Sequence, residues 1–210
     1  MDSENALTRL GDDIATVIPI VDRNTEGQYG DGIGSEDEPR QVELLVDELQ
    51  RHSAVYRDTR LEAPYPDSSE SCDLILPDGI PVECKLLRYW RANGDPEDSM
   101  PKRVFSPFHE HTLLSDAQKL SESGFDRNGG LLGLFYERSD DDPESVANLP
   151  EQYTAERLAD KTARDIEYWF GIDVDVCEVA KFDGLQHPVQ TQGAAITWEV
   201  ETGTATQDDS

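Results

Sequence analysis

Two carboxylates and a lysine lie close together in residues 71–85, whose sequence is SCDLILPDGIPVECK. Two short apolar runs flank residues 77–79, Pro-Asp-Gly, and these residue types favour a tight turn because proline fixes the first position and glycine accepts a left-handed third. The segment therefore predicts a β-hairpin closed by a three-residue loop, with Asp73 on its first strand and Glu83 and Lys85 on its second.

The register of this hairpin decides which side chains share a face. With a three-residue loop, Leu76 lies opposite Ile80, and Asp73 then lies opposite Glu83. One face of the hairpin becomes entirely apolar in this register: Cys72, Leu74, Leu76, Ile80, Val82 and Cys84. The other face carries Asp73, Ile75, Pro81, Glu83 and Lys85. A two-residue loop would mix the two sets, so the first register is predicted. It places the two carboxylates roughly 5 Å apart with Lys85 beside them.

Facing carboxylates repel each other, and a hard divalent cation with oxygen ligands relieves that repulsion. Mg²⁺ usually keeps several waters and takes one or two carboxylates together with phosphate oxygens. A neighbouring lysine can orient an attacking water, help to deprotonate it, or stabilise charge on a phosphate. The three residues are therefore suited to metal-assisted hydrolysis of a phosphodiester.

The pattern of Cys72-Asp73, nine intervening residues and Glu83-Cys84-Lys85 resembles the motif of the PD-(D/E)XK nuclease superfamily, with Cys72 where the family name has proline. The resemblance implies a restriction-endonuclease-like α/β fold: a mixed central β-sheet flanked by helices, with an α-β-β-β-α-β core. It also implies Mg²⁺ as the cofactor, with Mn²⁺ as a substitute. Asp73 and Glu83 would bind the metal, with the Cys84 carbonyl as a further ligand.

The resemblance also assigns catalytic roles. Lys85 would position or activate water beside Asp73 and Glu83. An early helix often supplies another glutamate in this family, and Glu43 on the helix predicted for residues 39–52 matches best. The alternative for Glu43 is a solvated helix acid.

The net charge of −27 bears on the partner, because phosphate binding depends on positive charge. One interpretation is an acidic protein with a basic or non-nucleic partner. The other is a protein from a halophile, and it is favoured because acidic residues are spread along nearly the whole chain. At molar salt the Debye length is about 3 Å, so distant surface charges hardly affect a phosphate at the site.

Basic residues follow the hairpin. Residues 84–94 contain no acid, and Arg88 and Arg91 flank Tyr89 and Trp90. These residues predict contacts to phosphates or stacking on a base. The predicted nucleic-acid-binding set is completed by three further residues, Lys102, Arg103 and Lys119. The alternative is a surface loop whose charges have no role.

Patterning along the chain predicts one domain at residues 39–201, after an acidic flexible arm at 1–38 and before a disordered tail at 202–210, and the resemblance implies that this domain is nuclease-like. Within the arm, residues 5–20 have some apolar character and could form a short helix, whereas Gly27–Glu38 is typical of a flexible linker. The elements predicted for the domain are helices at 39–52, 111–123 and 150–170, and strands at 54–61, in the hairpin, at 130–136, at 172–182 and at 194–200.

The chain contains no run of 18 apolar residues and no signal-peptide pattern, so a soluble cytoplasmic protein without a membrane partner is expected. Three cysteines argue against a disulfide framework.

The favoured function is a Mg²⁺-dependent DNA endonuclease acting on duplex or branched DNA, of restriction or defence type. A homodimer is allowed by analogy with nucleases that cut both strands. The alternatives are an inactive nuclease-like binding or regulatory module, and an acidic interaction protein with solvated hairpin acids.

Overall fold

The computed structural model describes residues 5–27, 30–66, 68–97, 99–137 and 153–202. The helices and strands in chain order are α1 (Ala6–Arg23), β1 (Glu26–Gly27), β2 (Gly30–Asp31), α2 (Glu38–His52), β3 (Arg60–Pro64), β4 (Ser71–Ile75), β5 (Pro81–Arg88), α3 (Met100–Phe105), α4 (Leu113–Ser121), β6 (Gly129–Tyr136), α5 (Ala155–Phe170), β7 (Val174–Phe182) and β8 (Gly193–Val200). None of the helices in these ranges is long and apolar enough to cross a membrane.

Side-chain caps define where the helices begin. The Asn5 carboxamide accepts a hydrogen bond from the Leu7 amide at the start of α1, and the Asp37 carboxylate accepts one from the Arg40 amide at the start of α2. Helix α4 begins with a reciprocal capping box between Thr112 and Ser115. Helix α5 ends at Gly171, whose left-handed backbone (φ 66°) suits glycine.

The centre of the fold is a six-stranded mixed sheet with the order β3-β4-β5-β6-β8-β7. Strands β5 and β6 are parallel, and every other neighbouring pair in this sheet is antiparallel. All eight residues of β6 are buried, which confirms the strand covered on both faces that the apolar run at 130–136 predicted. The chain is thus a mixed α/β protein with helices against its sheet, as the sequence predicted.

Helices cover both faces of the sheet. Buried side chains of α1 and α2 pack with Val82, Cys84 and Leu86 of β5 in one apolar cluster. Buried side chains of α3, α4 and α5 pack with Leu87 of β5 in a second cluster. Alternate residues of β5 therefore face opposite layers, and the odd-numbered ones face α4.

The N-terminal segment differs from the flexible arm expected at 1–38. Helix α1 places Leu7, Leu10, Ile14 and Ile18 in the core, and it packs against β7 and β8. These residues recur every three or four positions, so they form one stripe that covers the sheet in spite of the acidic surroundings. The described part of this segment continues as far as the start of α2, apart from residues 28–29. Of the tail predicted at 202–210, only Thr202 lies inside the described residues.

The proposed linker within that arm is also anchored. The buried Asp22 carboxylate accepts hydrogen bonds from the Ile33 amide (3.0 Å) and the Gln186 amide (2.6 Å), and Ile33 is fully buried. The first strand also lies later than the predicted 54–61, because a 3-10 turn capped by Ser53 occupies Ala54–Tyr56 and β3 begins at Arg60.

Candidate active site

The hairpin between β4 and β5 has the register that its turn predicts. Leu74 pairs with Val82, and the Leu76 amide donates to the Ile80 carbonyl at 2.9 Å. Gly79 is left-handed (φ 88°) and closes the three-residue loop. This register places Glu83 and Lys85 on the face of β5 that is covered by α4.

Carboxylates replace strand pairing where the two strands part. Beyond Leu74 the Asp73 Oδ2 atom accepts a hydrogen bond from the Cys84 amide at 2.6 Å, and the Glu38 carboxylate accepts one from the Leu86 amide two residues further along. The N–H and C=O of one strand residue point toward the same neighbour, so the Cys84 carbonyl lies on the side of β5 that faces Asp73. Each of these backbone amides is satisfied by a charged acceptor, which forms a strong hydrogen bond.

One member of the predicted apolar face lies elsewhere. Cys72 is buried in the cluster that contains Ile75 and Leu87, not in the cluster of Leu74, Leu76 and Val82. The irregularity coincides with Glu62 on β3, which has a left-handed backbone (φ 47°) at the position opposite Asp73. Strand β4 no longer pairs with β5 at Asp73, so the alternation that the hairpin predicts does not extend to Cys72, while the Asp73 carboxylate still reaches β5.

Lys85 lies between two carboxylates. Its Nζ atom is 3.0 Å from Asp116 Oδ2 on α4 and 3.5 Å from Glu38 Oε1 at the start of α2. Burial by itself lowers the Lys85 pKa, but the charges of Asp116 and Glu38 outweigh it and the pKa is raised. Burial raises the pKa values of Glu38 and Asp116, and Lys85 opposes this in both cases. Lys85 is therefore a positively charged group at neutral pH.

Glu83 has a different set of partners. The Tyr65 hydroxyl donates to its Oε1 atom, and the Lys119 Nζ atom lies 3.1 Å from the same oxygen. Lys119 also lies 3.2 Å from Glu70 Oε2 and 4.7 Å from the centre of the Tyr65 ring. Burial, followed by the charge of Asp73, raises the pKa of Glu83 to about 8. The positive charge of Lys119 only partly compensates for these effects.

Asp73, Glu83 and Lys85 line one open cavity of about 870 Å³. Glu38, Asp116 and Lys119 line the same cavity, so acids outnumber bases at its wall. In the described ranges no group of three or more His, Cys, Asp or Glu side chains is arranged to hold a metal ion. A cation here would have two protein carboxylates, Asp73 and Glu83, with the Cys84 carbonyl, waters and substrate oxygens completing its shell. This oxygen set is one that Mg²⁺ accepts.

The glutamate expected from the early helix has a close neighbour that the sequence analysis missed. Glu43 is about half exposed and pairs with Arg40, and it lines an adjacent cavity of about 510 Å³ that also contains Glu38 and Asp73. Glu38 is the acid of α2 that contacts Lys85 and β5. Asp37 is a residue type that caps helices, and it is the N-cap of α2. This signal in the sequence could have placed Glu38 in the first turn of the helix.

Asp116 and Tyr65 are further residues of the site that the sequence analysis did not select. Asp116 precedes Lys119 by one turn of α4, so the two side chains share one face of the helix. The prediction of Lys119 therefore identified the face of α4 that lines the site. Tyr65 follows β3 and is buried. No motif in the sequence marks it.

The predicted nucleic-acid-binding residues separate into three groups. Lys102 and Arg103 line a cavity of about 530 Å³ that shares Glu38, Lys85, Glu110 and His111 with the cavity around Asp73. Lys119 lies within the site itself, paired with Glu83. Two residues lie elsewhere in the structure: Arg91 pairs with Glu97 at 3.6 Å, and Arg88 is partly buried, which lowers its pKa.

Comparison of the chain with protein-family models, with curated proteins and with solved structures finds no match. The chemistry of the cavity around Asp73, Glu83 and Lys85 is therefore the basis on which a function is proposed.

Proposed function

We propose that this protein is a metal-dependent endonuclease that hydrolyses DNA phosphodiester bonds in the cavity around Asp73, Glu83 and Lys85. The observation that carries the proposal is that these three side chains share one cavity. Burial, followed by the charge of Asp73, raises the pKa of Glu83 there. The order α2-β3-β4-β5-α3-α4-β6 supports a restriction-endonuclease-like core, with the short α3 as an addition before α4, and that likeness favours a restriction or defence role.

The donor set suits Mg²⁺, with Mn²⁺ as a substitute. Asp73 and Glu83 would bind the ion, with the Cys84 carbonyl as a further ligand. When bound, such an ion polarises a phosphoryl oxygen and lowers the pKa of a coordinated water. Because ionised Glu83 is unfavourable without a compensating charge, a bound cation would lower the Glu83 pKa. Less of the Glu83 charge would then need to be balanced by Lys119.

Lys85 acts in this proposal as a charged group. Asp116 and Glu38 keep its pKa above the ordinary value, so it carries a proton throughout the neutral range. A protonated lysine donates hydrogen bonds to a phosphate oxygen or orients a water, and it stabilises negative charge as it develops. Of the roles that the sequence left open, the raised pKa favours orientation and charge stabilisation over removal of a proton.

The approach of a nucleic acid is consistent with the charges around the site. Lys102 and Arg103 line the cavity that adjoins Lys85, and they provide positive groups next to the acidic wall. In a chain of net charge −27, long-range repulsion of DNA weakens at high salt. A halophilic protein would therefore bind DNA through these direct contacts, and its activity is best measured at molar KCl.

A cleavage assay tests the proposal. Supercoiled plasmid and short duplex or branched DNA are incubated in molar KCl with Mg²⁺, with Mn²⁺ or with EDTA. We expect nicking with either metal and none with EDTA. Lys85→Ala and Asp73→Asn are each expected to reduce nicking by about 100-fold, since each removes a charge that acts in the transition state.

Matched substitutions at the surface provide the controls. Asp47→Asn makes the same chemical change at an exposed position of α2, and Lys181→Ala removes an exposed lysine paired with Glu156. Both are expected to retain nicking. If cleavage persists in the Lys85→Ala and Asp73→Asn variants, the mechanism is wrong. If DNA binds but no metal supports cleavage of any substrate, the fold is a nuclease-like binding or regulatory module.

A further inference from the structure

An exposed aromatic cluster lies outside the cavity that contains Asp73. Phe108 is 80% exposed, Tyr168 is 79% exposed and Trp169 is 46% exposed. Phe108 and Tyr168 both pack edge-on against Trp169, with ring centres 5.5 and 5.2 Å away. The other large apolar side chains exposed in the described part of the chain are Val55 and Val176, so the exposed aromatic surface there is concentrated at this place. Concentrated exposure of this kind marks a binding surface.

The loop that presents Phe108 is well anchored. The Thr112 hydroxyl contacts the carbonyl oxygens of Ser106 (3.0 Å) and His109 (3.4 Å), and Thr112 also caps α4. Tyr168 projects from the last turn of α5 away from the buried Leu158 and Ile166, and Trp169 follows Ile166 by one turn at the half-exposed end of the buried stripe. The aromatic rings are therefore presented by fixed backbone.

A groove with basic side chains runs along α5 to this cluster. Arg157, Lys161, Arg164 and Tyr168 share one face of the helix because they are spaced by three or four residues, and they line a cavity of about 840 Å³. Asp160 and Asp165 line it as well, so its three bases and two acids sum to a charge of +1. Lys161 pairs with Asp165 in this groove, and the remaining excess of base over acid is favourable for an anionic partner in a chain of net charge −27.

The cluster is also continuous with the proposed active site. His109 follows Phe108 in the chain, and it lines the cavity that contains Lys85, Lys102 and Arg103. On the other side, Lys161 lies 4.3 Å from the centre of the Phe105 ring of α3, which joins α3 to the groove on α5. A path of basic and aromatic groups thus leads from Lys85 past Phe108 to α5.

We propose that this path binds an unpaired segment of the nucleic-acid substrate, with bases stacked on Phe108, Tyr168 and Trp169. Aromatic rings beside positive groups are the pattern by which proteins bind single strands, since rings stack on bases and basic groups follow the phosphates. The bases of a continuous duplex are already stacked on each other and cannot use the rings in this way. The inference rests on the proposed nuclease function and narrows its substrate to DNA with a single-stranded portion, such as a fork, a flap or a branched junction.

Tryptophan fluorescence provides a direct test. Trp169 is 46% exposed, whereas Trp90 and Trp198 are buried, so quenching by added bases reports on the cluster. The full-length protein is titrated with single-stranded oligothymidylate or with blunt duplex in EDTA, and affinity is measured in parallel by anisotropy of labelled DNA. We expect quenching by the single strand and little by the duplex.

Variants separate stacking from other effects. Trp169→Ala and Phe108→Ala are each expected to weaken binding of the single strand by about tenfold and binding of the duplex by less than about twofold. Trp169→Phe is expected to keep the affinity and lose the quenching. Val55→Ala removes exposed apolar surface elsewhere and is the matched control. Arg157→Ala and Arg164→Ala are expected to lower the salt dependence of single-strand binding, by about 0.7 in log–log slope for each phosphate that the variant no longer binds.

The outcomes of this test are independent of cleavage, because EDTA prevents metal-dependent chemistry. Absence of quenching, or equal weakening of single-strand and duplex binding, would overturn the inference while leaving the nuclease proposal intact. If the aromatic variants instead abolish self-association in sedimentation velocity and keep their affinity for DNA, the cluster is an interface between copies of this chain. If the rings stack on bases but no metal supports cleavage of plasmid, duplex or branched DNA, the binding surface is retained and the nuclease proposal is wrong.

Discussion

Replacing Glu83 by glutamine is expected to change how the stability of the metal-free protein depends on pH. Burial and the charge of Asp73 raise the Glu83 pKa from 4.5 to about 8. The folded state then binds this proton more tightly than the unfolded chain does. The stability contributed by protonated Glu83 is therefore fully present below pH 4.5, and it is lost as the pH rises through about 8.

The magnitude follows from the size of the shift. Each pH unit between the two pKa values is worth about 1.4 kcal/mol per proton, so wild type is expected to lose about 4 kcal/mol between about pH 5 and about pH 8 relative to Glu83→Gln. Burial raises the pKa values of Glu38 and Asp116, which changes stability in the same direction, and lowers that of His187, which opposes it. The contributions of Glu38 and His187 cancel in the difference between wild type and variant, whereas the contribution of Asp116 is coupled to Glu83 and forms part of the measured effect.

Urea unfolding in EDTA and constant KCl measures the effect, with the fluorescence of the buried Trp90 and Trp198 as the signal. Equal m-values in the two proteins would show that the unfolding transition is comparable. Glu43→Gln, at an exposed site of α2, is the control. If wild type and Glu83→Gln show the same dependence of stability on pH, the raised pKa of Glu83 is wrong.

The same measurement with Mg²⁺ tests the proposed ligand. A cation that binds ionised Glu83 in the folded state should stabilise wild type at about pH 8, by about 2.7 kcal/mol at a concentration one hundred times its Kd. The Glu83→Gln variant should gain much less. Equal stabilisation of both proteins would place the binding site elsewhere.

Two further substitutions test separate parts of the structure. Ile18→Ala, in the core-facing stripe of α1, is expected to lower the free energy of unfolding by about 2–5 kcal/mol in urea denaturation, and a cost below about 0.5 kcal/mol would contradict the packing of α1 in the core. Asp116→Asn removes a charge that raises the Lys85 pKa, so NMR titration of the Lys85 amine should show deprotonation at lower pH than in wild type, and an unchanged midpoint would remove Asp116 as its partner.

The hairpin could be predicted from sequence because its information is local. The turn residues and the alternation of apolar side chains both select the observed pairing of Leu74 with Val82. The buried strand β6 was equally clear from its uninterrupted apolar run. Cys72 was assigned to the wrong side because β4 pairs with β5 only at Leu74 and Ile75, and the turn residues carry no information on where that pairing ends.

The remaining site residues depend on how distant segments cross. Glu38 reaches β5 because the start of α2 lies over the point where β4 and β5 part, and a helical pattern in the sequence carries no information on that crossing. Asp116 is a buried acid on α4, and periodicity assigns acids to the solvent side unless a buried partner such as Lys85 is known. In the N-terminal segment the acidic composition obscured the apolar stripe of α1.

The two carboxylates that replace strand pairing have a consequence for ligand affinity. Asp73 and Glu38 each commit one oxygen to a β5 amide, which fixes their rotamers before anything binds. Immobilising a long acidic side chain costs up to about 2 kcal/mol of conformational entropy. Here the side chains lose that entropy when the protein folds, before a ligand binds. A bound cation or phosphate meets side chains that are already ordered, so lengthening Asp73 to glutamate would weaken binding although the charge is unchanged.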